Sequence, residues 1–342
     1  MKNKYKIISL YKDFSRIGGA EKVAVQVHKL LRHEYNNCYL MSSTRYKDVN
    51  ELYKINASEY MQLNIFTIFK LRNLMVISHH RKNTTIFVIL NSIFRLNITL
   101  IHVAHNEFFD LKYISFYPRK IIAVSNRVKN NLVSYYKVNC ENISVIYNGV
   151  TDKFMSGIQG AVNLHLKKTN EIKILYGARI TDVKGQIRLV NNLKGKIPAN
   201  IKIDFAGRGD EEEGLAKLVA GDINFSYIGH IDFEKHLYKY DYVMLFSANE
   251  GLPLSLIEAC CFGLPIICNN VGGNTEIVDD FENGFVVNGY DGLTKLLNGG
   301  VPNSQSDIYS KMARYSRKVY ERKFREEAML RNYSEYISRC LV

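Results

Sequence analysis

Residues 247–265 read SANEGLPLSLIEACCFGLP, between the apolar runs Tyr242–Phe246 and Ile266–Cys268. Both flanking runs have the unbroken apolar character of strands buried on two faces. The spacing predicts a loop and then a helix starting near Pro253. Proline fits a first helical turn because its missing N–H would go unpaired there anyway. The free N–H groups of such a turn favour an anion. Glu250 then stands in the loop, and Glu258 about one and a half turns into the helix. A carboxylate ahead of a helix start can accept hydrogen bonds from sugar hydroxyls, and one further on can hold a ribose diol. The plainer readings are a capping acid for Glu250 and a solvated helix residue for Glu258. The apolar neighbours Leu254, Leu256, Ile257 and Ala259 indicate a buried helix, where an unpaired Glu258 would be costly.

A second loop of this kind lies upstream. Lys173–Tyr176 reads as a strand, and Tyr176-Gly-Ala-Arg179-Ile-Thr-Asp-Val-Lys184-Gly185 leads from it into a helical pattern. Two cations on a loop at a strand's carboxyl end suit a diphosphate: the guanidinium fork takes two oxygens and the ammonium acts as a point charge. Plain surface charge is the alternative. Further out, strand-like and helical runs alternate along the chain. Lys6–Tyr11, Cys38–Met41, Ile86–Leu90, Ile98–Ala104, Ile121–Val124 and Ile143–Tyr147 read as strands, with helices at Ala20–Leu31 and Arg127–Tyr136. A second strand–helix series runs from Lys173 to Val287. The alternation predicts an α/β protein with mainly parallel sheets. Asn148–Asn170 breaks the pattern. The expected division is a domain over 1–150, a linker over 151–170, a second domain over 171–306, and a charged helical tail over 307–342 that packs back on the body. Two Rossmann-like domains facing each other would put a ligand crevice between the carboxyl ends of the two sheets.

Composition agrees. A length of 342 residues suits about two domains. With 46% hydrophobic and 23% charged residues, the chain is not wholly disordered, collagen-like or a disulfide scaffold. The uncharged run Asn83–Phe94 is shorter than the ~20 residues of a membrane span, and Ala259–Thr275 is broken by Gly, Pro and Asn. The start, Met1-Lys-Asn-Lys-Tyr-Lys, leads into a strand pattern without a signal-peptide layout. Six cysteines with no C-x-x-C pair read as reduced, buried thiols of a cytosolic protein. There is no histidine cluster at zinc spacing and no Asp-x-Asp pair to hold a divalent ion on a diphosphate, so no metal cofactor is expected. Gly207-Arg-Gly209 lacks the third glycine of a dinucleotide fingerprint and runs into Asp-Glu-Glu-Glu, which would repel a pyrophosphate.

Glu250 and Glu258, with seven residues between them in an NEGLPLSLIEA run, together with Arg179-x4-Lys184-Gly185, resemble a retaining GT-B glycosyltransferase of family 4 (glycosyl transferases group 1). Gly18-Gly19 after the first strand and Asn148-Gly149-Val150 at the expected domain crossing also match. The resemblance implies two Rossmann-like domains facing across a crevice. The N-terminal one would take the acceptor and the C-terminal one a nucleotide-diphosphate sugar. It implies metal-independent transfer with retention, Arg179, Lys184 and helix N-termini neutralising charge in place of a cation. Glu250 would touch the donor sugar, Gly251, Leu252 and Pro253 would line it, and Glu258 would hold the ribose. Arg179 and Lys184 would hold the leaving diphosphate, and the Gly18-Gly19 backbone would approach the phosphates closely. The base would lie near Arg208 and the Ile228-Gly-His230 turn. His105 follows the strand Ile98–Ala104 and would orient the donor sugar or the acceptor hydroxyl, with Asn106 and Asn148 toward the acceptor. A backbone-bonded structural histidine is the other reading of His105.

The formal charge of +13 is unevenly placed. Residues 1–168 hold 25 Lys/Arg against 10 Asp/Glu, while residues 169–342 hold 21 against 23. Two clusters in the first half mix cations with large apolar residues. One runs from Ile65 to Lys82 and holds Lys70, Arg72, Arg81 and Lys82. The other surrounds Phe108–Lys120 and holds Lys112, Arg119 and Lys120. Such a mixture fits a surface helix on an anionic leaflet, or an ordinary amphipathic helix with its apolar side in the core. No nucleic-acid-binding motif occurs. The resulting expectation is a UDP-sugar donor and a lipid-linked glycan acceptor in bacterial surface polysaccharide synthesis. The enzyme would be cytoplasmic and peripheral at the inner face of the cytoplasmic membrane. A two-Rossmann-domain nucleotide-sugar epimerase and a non-catalytic nucleotide-sugar-binding subunit are the competing expectations.

Overall fold

The computed structural model describes residues 5–154 and 170–341. Most of the expected linker lies outside the described residues. The chain forms two compact units. One holds Met1–Asn148 with Glu327–Val342, the other Gly149–Glu326.

In the first unit the strands are β1 (Ile7–Leu10), β2 (Cys38–Ser42), β3 (Tyr60–Gln62), β4 (Met75–Ser78), β5 (Thr99–Ala104), β6 (Lys120–Ala123) and β7 (Ile143–Val145). They form one parallel sheet in the order β3-β2-β1-β4-β5-β6-β7. Its helices are α1 (Gly19–Glu34), α2 (Ile65–Phe69), α3 (Arg81–Phe94) and α4 (Asn126–Ser134). The second unit repeats the plan. Its strands are β8 (Ile172–Gly177), β9 (Ile201–Ala206), β10 (Phe225–Tyr227), β11 (Tyr242–Leu245), β12 (Ile266–Asn269) and β13 (Gly284–Val287), and they pair in parallel as β10-β9-β8-β11-β12-β13. Its helices are α5 (Gln186–Leu193), α6 (Glu212–Val219), α7 (Phe233–His236), α8 (Leu254–Cys261), α9 (Asn274–Ile277), α10 (Gly289–Gly299) and α11 (Asp307–Lys323); α12 (Glu326–Leu341) ends the chain. Parallel strands joined by helices need cover on both faces, which is why IISL, MVIS and YVML are buried at every position.

Three expectations change. Ile86–Leu90, expected as a strand, lies inside α3, where Arg81, Thr84 and Phe87 are buried at helical spacing. The apolar run IFVIL carries no period of its own, and contact with the sheet decided it. The central strand is instead β4, part of the stretch expected as one surface helix from Ile65. The tail is two helices rather than one stretch. In the second unit, α11 packs by Ser316 Oγ donating to the Leu264 carbonyl at 3.0 Å and Tyr309 Oη to that of Asp241 at 2.7 Å. In the first unit, α12 docks by Ser334 Oγ donating to Glu34 at 2.8 Å, while Tyr5 Oη donates to the Leu341 carbonyl at 2.9 Å.

Candidate active site

Strand order locates the sites. In a doubly wound sheet, ligands collect at the carboxyl edge where successive crossovers turn opposite ways. In the second unit, β8 leads toward β9 and β10 while β11 leads toward β12 and β13, so the reversal lies between β8 and β11. The loops leaving these two strands are those of Arg179–Lys184 and Ser247–Pro253.

They are tied together. Lys184 Nζ donates to Glu250 Oε1 at 2.6 Å, and the Glu250 side chain is only 5% exposed against 18% for Lys184. A carboxylate this deep needs a partner, and the bonded ammonium supplies it. Below the pair, the buried Tyr176 hydroxyl donates to the Lys184 carbonyl and accepts from Phe246 N–H at 2.9 Å, while Ala248 N–H donates to the Val183 carbonyl at 2.8 Å. One tyrosine at the end of β8 thus braces both loops. From the other side, Gly273 N–H donates to the Gly251 carbonyl at 2.9 Å and Asn269 Nδ2 to that of Ser247 at 2.7 Å. Gly272 has φ +53°, and a Cβ there would lie 1.9 Å from the Glu250 carbonyl oxygen. Neither Tyr176 nor Gly272 was singled out in the sequence. The signal for the second was Gly272-Gly273 just past a strand.

The remaining expected donor-site residues spread along the same edge. Arg179 is exposed, its loop held by Gln186 Nε2 donating to its carbonyl at 2.9 Å. Arg208 is exposed on the loop after β9, and its carbonyl accepts from Ile180 N–H at 3.0 Å. Gly207 and Gly209 allow this approach, since a Cβ would fall 1.9 Å from the Ala178 carbonyl oxygen or 2.0 Å from that of Ile180. That explains the Gly-x-Gly without a dinucleotide. Ile228 and His230 are exposed after β10; Gly251, Leu252 and Pro253 are buried. Pro253 stands one residue ahead of α8, as its N-cap. Glu258 is buried in α8 at 6% exposure, not a solvated helix residue. Burial works against the Lys153 ammonium, but the bonded Glu234 and, more weakly, Asp232 and Glu258 outweigh it and hold its pKa above the usual lysine value.

In the first unit the reversal falls between β1 and β4, because β1 leads to β2 and β4 to β5. The loop after β1 carries Gly18-Gly19 at the start of α1. The space a side chain on Gly18 would fill is held by the Glu21 carboxylate, 2.3 Å from that point. This acid works against a phosphate on Gly18, whereas the exposed Gly19 leaves its backbone open. The residues after β4 are His79 and His80, which sequence reading passed over because it missed the strand. His79 Nδ1 lies 3.0 Å from His105 Nε2, and His102 Nδ1 lies 2.7 Å from Thr84 Oγ1. With Tyr11, His80 and Tyr117 the histidines His79, His102 and His105 line a cavity of about 70 Å³, which Asn106 also borders. Burial lowers the pKa of His105 and His102 to about 3 and of His80 to about 4, and depresses His79 strongly. The cluster is neutral near pH 7.

This has a stability consequence. In the unfolded chain these imidazoles take up protons near pH 6.5, while in the fold His80, His102 and His105 do so only near pH 3–4 and burial holds His79 well below its ordinary value. Stability therefore falls as pH drops from about 6.5 toward 3, with a slope of up to about 1.4 kcal/mol per pH unit per histidine. His102→Gln should flatten the fall measured by urea unfolding between pH 7 and pH 5 by about one such contribution. An unchanged slope would remove His102 from this account.

Arg81, expected to face a membrane, is buried instead. Its Nη2 pairs with Asp110 at 2.8 Å and its guanidinium lies over the Phe108 ring at 4.3 Å. Of the other basic candidates, Lys70, Arg72, Lys82 and Arg119 are exposed, and Lys112 and Lys120 are half-buried. Asn148 is buried at the end of the first unit. No helix among the described residues is long and apolar enough to cross a membrane.

Two parallel-sheet units with ligand-type switch points, one of them carrying a buried Glu–Lys pair and a glycine-braced loop, have the α/β two-domain architecture of the GT-B glycosyltransferases. The chain matches the family model Glycosyltransferase Family 4 over residues 17–154 and the model Glycosyl transferases group 1 over residues 162–319. The chain belongs to the group 1 GT-B glycosyltransferases. It is 24% identical to the O-antigen biosynthesis glycosyltransferase WbnH of Escherichia coli, over 80% of this chain and 83% of that protein. It is 28% identical to an uncharacterized glycosyltransferase of Methanocaldococcus jannaschii, a match that spans 49% of this chain and 45% of the archaeal protein. The fold is that of Anabaena Alr3699/HepE, solved in complex with UDP: TM-score 0.80, 16% identity, 98% of this chain and 100% of that one.

Proposed function

We propose that the chain moves a hexose or N-acetylhexosamine from a UDP-sugar to a lipid-linked glycan, with retention, at the inner face of the cytoplasmic membrane during surface polysaccharide assembly. The observation that carries the reading is the buried Glu250–Lys184 pair at the reversal between β8 and β11. Glu250 accepts hydrogen bonds from donor-sugar hydroxyls, and Glu258 holds the ribose. Lys184 and Arg179 take the charge that develops on the leaving diphosphate as the anomeric C–O bond breaks, with no step assigned to a metal. In same-face attack, a diphosphate oxygen accepts the acceptor hydroxyl's proton while the acceptor oxygen bonds to the anomeric carbon. The neutral His105 orients a hydroxyl, and the loops bearing Arg208, Ile228 and His230 receive the base. The UDP and UDP-glucose complexes of Alr3699/HepE support the choice of donor, and WbnH supports the polysaccharide setting.

Purified protein with a panel of UDP-sugars and a polyprenyl diphosphate-sugar acceptor should release UDP and give an α-linked product. No turnover with any nucleotide sugar would overturn the reading, and conversion of the donor alone would make the protein an epimerase.

A further inference from the structure

One face of α3 has no cover among the described residues. Arg81, Thr84 and Phe87 turn toward the sheet. The opposite stripe, Lys82, Ile86, Ile89 and Ile93, follows helical spacing and is open to solvent, the three isoleucines being 48%, 39% and 66% exposed. The loop after β5 extends this face, because Phe116 N–H donates to Thr85 Oγ1 at 3.1 Å. That loop carries the exposed Tyr113, Ile114 and Phe116. Isolated exposed apolar residues are ordinary, but a helical stripe continued by a loop marks an interaction surface.

The charge around it selects the partner. Between Tyr60 and Cys140 the sequence has eleven Lys/Arg and only two Asp/Glu, Glu107 and Asp110. Asp110 is neutralised by the buried Arg81. Lys82 lies on the stripe, and Lys112 sits 5.9 Å from the Tyr113 ring within the loop. A second copy docking by the same face would bring these cations against themselves. An anionic bilayer complements both features: the apolar side chains enter the acyl boundary, tyrosine lies at headgroup depth and the cations meet lipid phosphates.

We propose that α3 and the Phe108–Tyr117 loop form the surface by which this chain docks on an anionic lipid leaflet, through Ile86, Ile89, Ile93 and Phe116. The proposal adds a surface to the functional reading above and rests on it only for the choice of leaflet. The test is co-sedimentation of the full chain with phosphatidylglycerol or phosphatidylcholine vesicles, without donor or acceptor. Wild type should bind the anionic vesicles at least tenfold better. Ile86→Ser/Ile89→Ser/Ile93→Ser, which touches only exposed positions, should lose at least tenfold on the anionic vesicles while keeping its melting temperature and its UDP release. Equal vesicle binding by variant and wild type, or none by wild type, overturns the proposal. So does a wild-type dimer that the triple substitution dissolves without any vesicle binding, which would assign the face to a second copy. Absent UDP release with intact vesicle binding would sink the enzymatic reading and leave the docking surface standing.

Discussion

Glu250→Gln should lower the turnover of glycosyl transfer about 10²–10³-fold in a protein that stays folded. The substitution keeps the side chain's shape and removes its charge. A hydrogen bond to a charged group is worth about 1.5–3 kcal/mol, so weakening two donor-hydroxyl contacts gives an effect of this size. The amide also changes the partner of Lys184. It offers that ammonium one neutral acceptor in place of the carboxylate now 2.6 Å away, so the cation drifts from the position in which, on the proposed function, it would meet the leaving diphosphate. Both losses are larger in the transition state than in the ground state, so kcat should fall more than KM rises. The measurement is steady-state UDP release, with a melting temperature within about 5 °C of wild type as the folding control. A kcat within about threefold of wild type would remove Glu250 from the chemistry and return it to a structural role.

Gly272→Ala should lose about 2–4 kcal/mol of stability and at least tenfold in activity, although an added methyl group brings no chemistry. Two effects combine. The backbone at φ +53° costs an alanine about 1–2 kcal/mol, and the new Cβ would lie 1.9 Å from the Glu250 carbonyl oxygen. Backbone must move, and the backbone that moves carries Glu250. Displacement of a positioned group by about 1 Å is enough to cost up to 10²-fold in rate. Gly221→Ala is the control, since Gly221 has φ +71° but nothing within 4 Å of a Cβ. It should lose only the conformational part and keep full activity. At about 2–4 °C per kcal/mol for a unit of this size, thermal melting separates the two variants by several degrees. Matching melting temperatures and activities would show that Gly272 does not hold the Glu250 loop.

The residues that matter most in these two experiments differ in how far they could be read in advance. Glu250 stood out because its surroundings are local: an apolar run, a loop, a proline and a buried apolar helix all fall within twenty residues. The same holds for Arg179 and Lys184 after β8. Gly272 shows nothing of its role in its own neighbourhood. It depends on a carbonyl twenty-two positions upstream, brought to it because β12 pairs with β11. His79 was missed for a related reason. The four residues of β4 are too few to show a period, and they are a strand because β1 and β5 pair on either side. Arg81 looked like a surface cation until Asp110 and Phe108, on another loop, closed over it.

The sequence by itself determined the alternation of strands and helices, the placing of Glu250, Arg179 and Lys184 in loops after strands and of Glu258 in the helix that follows, and the excess of positive charge in the first half. These follow from short-range periodicity and turn chemistry, which each segment carries alone. Tertiary structure alone decided that Ile86–Leu90 is helix, that α12 belongs to the first unit, that four neutral histidines gather round one cavity, and that Tyr176 and Gly272 hold the Glu250 loop. Each of these depends on which strand lies beside which, and that order is set by burial summed over the whole sheet.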